Sequence, residues 1–462
     1  MQRDERPADG QLKESFPGPF WSANVVELFE RAAYYSMASF VVIYLGQLGL
    51  GKYWPSNING ILWTLVYFLP ILSGTIADQV GFKRALLAAC ALLAGGYFFM
   101  GFPVWFGGNE LLDAKDVAEP LLFQWDVVAP IIAGILLIGV GGSIIKPCIS
   151  GTVQKTAGQR ATLAFAIFYM VINIGSLVGR GVAYVVRTNF NLSFIFMVAM
   201  AAAIVAGLIV LFWYKDPDSV MGVTAKKPKK SIGRILADMV LVLKNGRFAL
   251  FLVVTSGFNF LYNQVYNVIP LYTKNVLERD PPMDIYTMAN PFTIVFFQLL
   301  ITKLFGRMKP IKSIVIGTVI IAGSMAVNIV PVLLGNPRAD FMDLLPIGSL
   351  MVVMTVSLVA FGELFSSART FEYIGALAPK GQEGLFLGYA NLPMAIGALV
   401  GGPVGAYIFN DVMCRGAVKR PDGLLDLDPT ANIQGWLILM GFGLASAAGL
   451  WTYNRWIQKN PG

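Results

Sequence analysis

Long apolar stretches recur along this chain at nearly even intervals. Each is close to the roughly 20 residues that a membrane-spanning helix needs. About twelve are present. Six fall in the N-terminal half, near 19–47, 57–77, 84–106, 127–150, 161–186 and 190–214. Six follow near 247–274, 287–306, 311–334, 345–368, 384–409 and 434–457. Between the sixth and seventh the pattern breaks. The stretch 215–246 carries Lys215, Lys226, Lys227, Lys229, Lys230, Arg234 and Lys244, with Pro217 and Pro228. Its second part, Ile232 to Leu243, fits a short amphipathic helix on a membrane surface. The expected organisation is a polar tail (1–18), a six-helix bundle (19–214), a basic linker (215–246), a second six-helix bundle (247–457) and a short tail (458–462). Paired helical halves are a common transporter plan.

Composition narrows the class further. Of 462 residues, 56% are hydrophobic and 13% charged, against about 25% charged in an ordinary soluble protein. A soluble chain and a disordered one are both excluded on that ground. Three isolated cysteines, Cys90, Cys148 and Cys414, are too few for a disulfide scaffold and read as packing residues. There is no histidine. Imidazole metal sites, Ser-His-Asp catalysis and imidazole proton relays are thereby removed. The absence of CxxC or a defensible nucleophile–base spacing makes an enzyme the least favoured class, and no cofactor or metal is expected. The net charge of +8 fits basic cytoplasmic loops better than nucleic-acid binding.

The same rule sets an expected orientation. Lys83, Arg84, Lys155, Arg160, the basic linker, Arg307, Lys309 and Lys312 fall on one side, with Arg455 and Lys459. Glu110, Asp113, Asp116, Glu119, Asp422, Asp426 and Asp428 fall on the other. Both termini are therefore expected in the cytoplasm. No cleavable signal pattern is visible in the first residues.

A few charges sit where an apolar span should not hold them. Near the bilayer centre each costs at least about 2.5–3.5 kcal/mol, so such residues face a cavity or a partner. Glu27, Glu30, Arg31, Tyr34 and Tyr35 follow the spacing i, i+3, i+4, i+7, i+8 and form one helical stripe. Glu27 and Arg31 can pair, leaving the other carboxylate to take up and release a proton; an ion-paired cluster that only packs helices is the plainer reading. Lys146 lies in the glycine-rich fourth span, before Pro147. It either snorkels to an interface or meets a carboxylate, an anion or water. Glu363 is a second intramembrane acid, in the other half, and a candidate partner for Lys146. Arg180 and Lys303 are read as snorkelling from span ends, and Arg369 and Glu372 as interfacial. Softer signals are Phe165, Tyr169 and Asn173 on the fifth span, and Asn259, Tyr262, Asn263, Tyr266 and Asn267 on the seventh. Gln298 and Asn290-Pro291 mark the eighth. Such residues serve either as helix-packing glue or as cavity lining.

These residues also carry a resemblance. Glu27-x-x-Glu30-Arg31 with Tyr34-Tyr35 resembles the ExxERFxYY signature of the proton-dependent oligopeptide transporter family, a branch of the major facilitator superfamily. The segment Phe168 to Leu177, including Tyr169, Asn173, Gly175 and Ser176, is similar to its fifth-helix signature. The fourth-helix segment Gly142 to Pro147 and the regions Phe361 to Leu364 and Leu377 to Lys380 also resemble it. Gly74, Asp78, Gly81 and Arg84 match the superfamily's loop 2–3 motif, a conformational element.

The resemblance implies an all-α major facilitator fold with twelve transmembrane helices, multi-pass in a bacterial inner membrane. It implies proton-coupled import of di- and tripeptides by alternating access, by a functional monomer. Glu27, Glu30, Arg31 and Glu363 would couple protons. Tyr34, Tyr35, Tyr67, Lys146, Tyr169, Asn173, Tyr262, Asn263, Tyr266, Asn290 and Glu363 would line the peptide site. There are departures. Ala32 stands where the signature has Phe, and Ala38 and Asn263 stand where many members hold an Arg–acid pair. The tryptophan expected near Gly388 to Leu392 and the proline expected in Ser366 to Arg369 are also missing. Those losses keep two other readings open: a related carrier of nitrate or an organic anion, and a receptor that senses peptide without net transport.

Overall fold

The computed structural model of the protein describes residues 15–112, 124–220, 233, 237, 242–377, 386 and 389–459. Helix α1 (Gly18–Ala38) and the short α2 (Val41–Gln47) share the first apolar stretch. The second divides into α3 (Trp54–Phe68) and α4 (Pro70–Val80), bent by 45°. Pro70 causes that break: it has no N–H to give, and it disfavours helix at Leu69 before it. Then come α5 (Phe82–Trp105), α6 (Trp125–Thr156), α7 (Ala161–Asn189) and α8 (Phe194–Phe212). The second half holds α9 (Gly246–Gln264), α10 (Val268–Tyr272), α11 (Met283–Phe305), α12 (Pro310–Val327), α13 (Ile347–Leu377), α14 (Leu392–Tyr407) and α15 (Pro429–Lys459).

Among the described residues, ten helices are long and apolar enough to cross a membrane, and the bent α3–α4 pair makes eleven. Helix α1 escapes that measure because Glu27, Glu30 and Arg31 interrupt its apolar run. Side chains such as Phe212, Phe296 and Leu299 stand exposed on the outside, as a lipid-facing wall requires. Four sequence expectations are corrected. The stretches 19–47 and 57–77 are each two helices. The seventh breaks after Gln264, where Asn267 turns its side-chain amide back to the Asn263 side chain. The tenth runs on to Leu377. The surface helix expected at 232–243, and Asp113, Asp116 and Glu119, lie outside the described residues, apart from isolated positions of the former.

Within the first half α1 packs on α7 and α8, and α5 on α6 and α8. Within the second, α12 packs on α13 and α15, and α9 on α14 and α15. The halves meet chiefly where α3 lies against α14 and α7 against α11. Glycine makes the α3–α14 crossing possible. A Cβ on Gly60 would stand 2.7 Å from the Ala398 carbonyl oxygen, and one on Gly402 2.5 Å from that of Ser56. Small residues at such crossings let helix backbones touch.

The bundle has two distinct faces. On the termini face Lys155 pairs with Asp218 at 2.7 Å, Arg160 covers the Phe16 ring and Arg369 donates to the Gly306 carbonyl. On the far face two short antiparallel ribbons form, β1 (Asp340–Phe341) with β2 (Leu345–Pro346), and β3 (Val418–Lys419) with β4 (Leu425–Asp426). There Arg338 pairs with Asp426. The Leu424 backbone N–H, 3.0 Å away, holds the half-buried Asp422 carboxyl below the usual carboxylate range.

Polar bonds join the halves in the middle and on the far face. Tyr53 donates to Asp411 (2.8 Å), Asn410 to the Lys52 carbonyl (3.0 Å) and Asn59 to the Tyr266 carbonyl and Asn267 (3.0 Å each). Arg187 pairs with Asp280 at 3.0 Å and Asp284 at 3.2 Å. Thr64 reaches the Ala395 carbonyl at 3.3 Å, near mid-bundle. The molecule is thus latched on the far face.

Candidate functional site

The charged stripe of α1 is buried as a unit. Glu27 is 0%, Glu30 1% and Arg31 4% exposed. Arg31 gives two N–H groups to one oxygen of Glu30, from Nη2 at 2.5 Å and Nε at 2.6 Å. Glu27 is the looser partner, with Oε1 3.4 Å from Arg31 Nε and neither oxygen accepting a hydrogen bond. The expected Glu27–Arg31 contact is present, but the tight pair joins adjacent residues, Glu30 and Arg31. Helix α7 seals this cluster. A Cβ on Gly175 would come within 2.8 Å of the Arg31 Cβ, and one on Gly179 within 2.3 Å of the Ala32 carbonyl oxygen. Ala32, where the resembled signature has Phe, lies in that seam.

Trp63, which the sequence reading passed over, is the hub of the aromatic residues. It is 1% exposed, and its ring lies 5.9 Å from Tyr34, 5.6 Å from Tyr67, 6.3 Å from Tyr262 and 4.8 Å from Tyr266. The signal was available: Trp63 precedes Tyr67 by one helical turn. Tyr34 stacks edge-on against Tyr35 and holds its hydroxyl buried without a partner. Asn263 is buried beneath this group and leaves its amide nitrogen unpaired.

Lys146 and Glu363 face this box from opposite halves. Both are half-buried. The Lys146 ammonium lies 5.5 Å from the Tyr67 ring centroid and has no carboxylate within ion-pair distance among the described residues. Glu363 receives a long hydrogen bond from Asn290 at 3.5 Å, and the Ser367 hydroxyl lies beside it. No ion pair joins the two.

Two expectations fare differently. Tyr169 is 58% exposed; its ring meets that of neighbouring Phe168 and its carbonyl accepts the Asn173 amide at 2.9 Å. These contacts stay on α7 and do not bring either side chain to the aromatic box. Arg180 does not snorkel. It is 0% exposed, and it donates to Thr287 Oγ1 at 2.9 Å, to the Tyr266 hydroxyl at 3.2 Å and to the Ser176 side chain. Its guanidinium lies 4.6 Å from the Tyr35 ring centroid, with Arg31 at 6.0 Å from the same ring. Lys303 and Glu372 are exposed and Arg369 half-buried, as expected of residues near a membrane interface.

The loop 2–3 motif is held by geometry. Gly81 has φ +96°, a left-handed value that suits glycine. Asp216, four residues past α8, accepts the Lys83 backbone N–H at 3.2 Å and lies 3.1 Å from where a Gly81 Cβ would be. Asp216 was not singled out from sequence. Gly74 lets α4 approach Pro147, whose Cβ would stand 3.2 Å from an added Cβ. Arg84 is exposed. No cluster able to hold a metal ion exists among the described residues.

A helical membrane bundle of two halves, latched on one face over buried charges and aromatic rings, defines a transporter. The chain belongs to the Major Facilitator Superfamily, whose family model matches residues 117–370, and it is a membrane transporter and no enzyme. Within the superfamily it resembles the proton-dependent oligopeptide transporters. It is 24% identical to dipeptide and tripeptide permease B of Shigella dysenteriae serotype 1 over 499 aligned positions, 94% of each chain. It is 27% identical to the permease of the same name from Aliivibrio fischeri over 231 positions, 49% of this chain and 42% of that one. Its fold matches a crystal structure of a mutant peptide transporter POT in complex with alafosfalin, at TM-score 0.74, 18% identity and coverage of 96% and 95%. A POT family transporter in complex with 5-aminolevulinic acid matches at TM-score 0.70 and 18% identity, covering 93% and 94%.

Proposed function

We propose that this protein imports di- and tripeptides together with protons, by alternating access between two six-helix bundles. In this reading α1 and α2 supply the span that completes the twelve, the basic termini face is cytoplasmic, and the membrane is a bacterial inner membrane. The arrangement latched on the far face is then the inward-facing one. The observation that carries the reading is the placement of Lys146 and Glu363. One cation and one carboxylate, on opposite halves and unpaired with each other, flank an aromatic box. A zwitterionic peptide supplies the missing partner of each, its carboxylate to Lys146 and its ammonium to Glu363. Binding then draws the halves together.

The proton fits the α1 cluster. Glu27 is buried with no hydrogen-bond donor to either oxygen, so its charge is supported by the looser Arg31 contact alone. A proton taken up there releases Arg31 to Glu30. Names of relatives point the same way, since they are called dipeptide and tripeptide permeases. Proteoliposomes with an imposed inward proton gradient are expected to accumulate dialanine. Absence of gradient-driven uptake across a broad panel of short peptides would remove the peptide assignment.

A further inference from the structure

Arg180 is the buried charge that the reading above leaves unused. Its side chain is fully withdrawn from water, yet its partners are hydroxyls, a carbonyl and an aromatic face. No carboxylate lies within ion-pair distance among the described residues. The nearby Asp284, one turn before Thr287, is engaged by Arg187. A neutral side chain would seal the latch with less desolvation cost, because a buried charge without a counter-ion is destabilising. Such a charge gains most in a state where it meets an anion.

The latch itself shows which state that is. Thr287 on α11 and Tyr266, between α9 and α10, belong to the second half. Ser176 and Tyr35 belong to the first, with Arg180. When the halves part on the far face, the guanidinium keeps the Tyr35 ring and Ser176 and loses Thr287 and Tyr266. The N–H groups so freed face the opening cleft. They form the donor fork that binds a carboxylate in two-point fashion.

The charge inventory of the site gives the ligand class. With Glu27 protonated, as the import reading has it, Arg31 is matched one-to-one by Glu30, so the α1 cluster is neutral. What remains is two cations, Lys146 and Arg180, against one carboxylate, Glu363. A ligand with two carboxylates and one ammonium matches that set. We propose that Arg180 is a substrate-binding residue, which receives a second carboxylate of the ligand from the far face and so makes acidic dipeptides preferred substrates. This rests on the peptide-import reading.

The test is uptake of Ala-Glu, Ala-Ala and Ala-Lys into proteoliposomes, with KM measured for each. The wild type is expected to show the lowest KM for Ala-Glu and the highest for Ala-Lys. Arg180→Gln is expected to raise the Ala-Glu KM about tenfold or more while changing the Ala-Ala KM far less, the size of one lost charge-assisted pair. Arg180→Lys, which keeps the charge and loses the fork, is expected to fall between; it serves alone if the Gln variant does not fold. Thr287→Val breaks the latch bond but leaves the guanidinium, and should retain the preference for Ala-Glu. An Ala-Glu to Ala-Ala ratio unmoved by either Arg180 substitution overturns the proposal. So does a Thr287→Val variant that loses the preference as fully as the Arg180 variants, since the effect would then belong to gate geometry. Uptake of none of the three by the wild type would overturn peptide import itself, and this site with it.

Discussion

Replacing Glu27 and Glu30 separately by Gln should have opposite consequences, although the two carboxylates are one turn apart on one helix. Glu30 takes both near N–H contacts of Arg31, at 2.5 and 2.6 Å, in a site 1–4% exposed. Removing one partner of a buried pair costs about 3–5 kcal/mol, because the other charge stays behind. In Glu30→Gln only the 3.4 Å Glu27 contact remains to Arg31, so a loss at the lower end, about 3 kcal/mol, is expected. Glu27 has no hydrogen bond to lose. Glu27→Gln removes one buried negative charge and leaves the tight Arg31–Glu30 pair intact, so its stability should stay within about 1 kcal/mol of wild type. The functional order is reversed. Glu27→Gln holds the cluster in its protonated form, so gradient-driven accumulation should vanish while peptide counterflow, which needs no net proton movement, persists. Thermal unfolding of purified variants gives the first comparison, and paired gradient and counterflow assays in one vesicle preparation give the second. The reasoning is refuted if Glu27→Gln accumulates peptide as wild type does, or unfolds as early as Glu30→Gln.

Two further outcomes follow from the packing. Gly179→Ala places a methyl 2.3 Å from the Ala32 carbonyl oxygen, an overlap worth about 1–3 kcal/mol of destabilisation, whereas Gly181→Ala, whose nearest neighbour is Met288 at 3.8 Å, should be neutral or gain up to about 1 kcal/mol from helix propensity; matched thermal melts check the pair. Trp63→Ala removes the ring that Tyr34, Tyr67, Tyr262 and Tyr266 share and should cost about 3–5 kcal/mol, with Trp63→Phe recovering most of the stability and more of the uptake than Ala.

The sequence carried the spans and the α1 stripe because both are local. Apolar windows are contiguous, and Glu27, Glu30, Arg31, Tyr34 and Tyr35 share a face through helical periodicity alone. Lys146 and Glu363 stood out because charges are rare in spans. Arg180 departs from the sequence expectation for a related reason. The apolar run of the fifth span, read up to 186 and stopping before Arg187, places Arg180 near an edge. The helix in fact runs to Asn189, and Arg187 is itself occupied by Asp280 and Asp284. What holds Arg180 is Tyr266 and Thr287, 86 and 107 positions away, and no local pattern announces such partners. The break after Ala38 escaped for the same cause: it has no proline, and Ser39 there is tied to Thr287 at 2.8 Å. The stripe Tyr169 and Asn173 shows the converse, a correct spacing whose side chains the tertiary fold leaves out of the aromatic box.

The position of Arg180 also links the two halves of the chemistry. Gly175 and Gly179 press α7 against α1 at Arg31 and Ala32, and the next residue, Arg180, lies against Tyr35 and spans to the second half. Tyr35 in turn is flanked by both guanidiniums. The buried charged cluster and the far-face latch are therefore within two turns of one another on the same packed pair of helices, with no slack at the glycine contacts to absorb a shift. A displacement of Arg31 on protonation of its partner moves the surface on which Tyr35 rests, and Tyr35 is the wall behind Arg180. Close-packed contacts respond to such a shift by changing arrangement, since they cannot deform gradually. In the proposed import cycle the tight α1–α7 seam is thus a physical route by which proton uptake and release of the latch depend on each other.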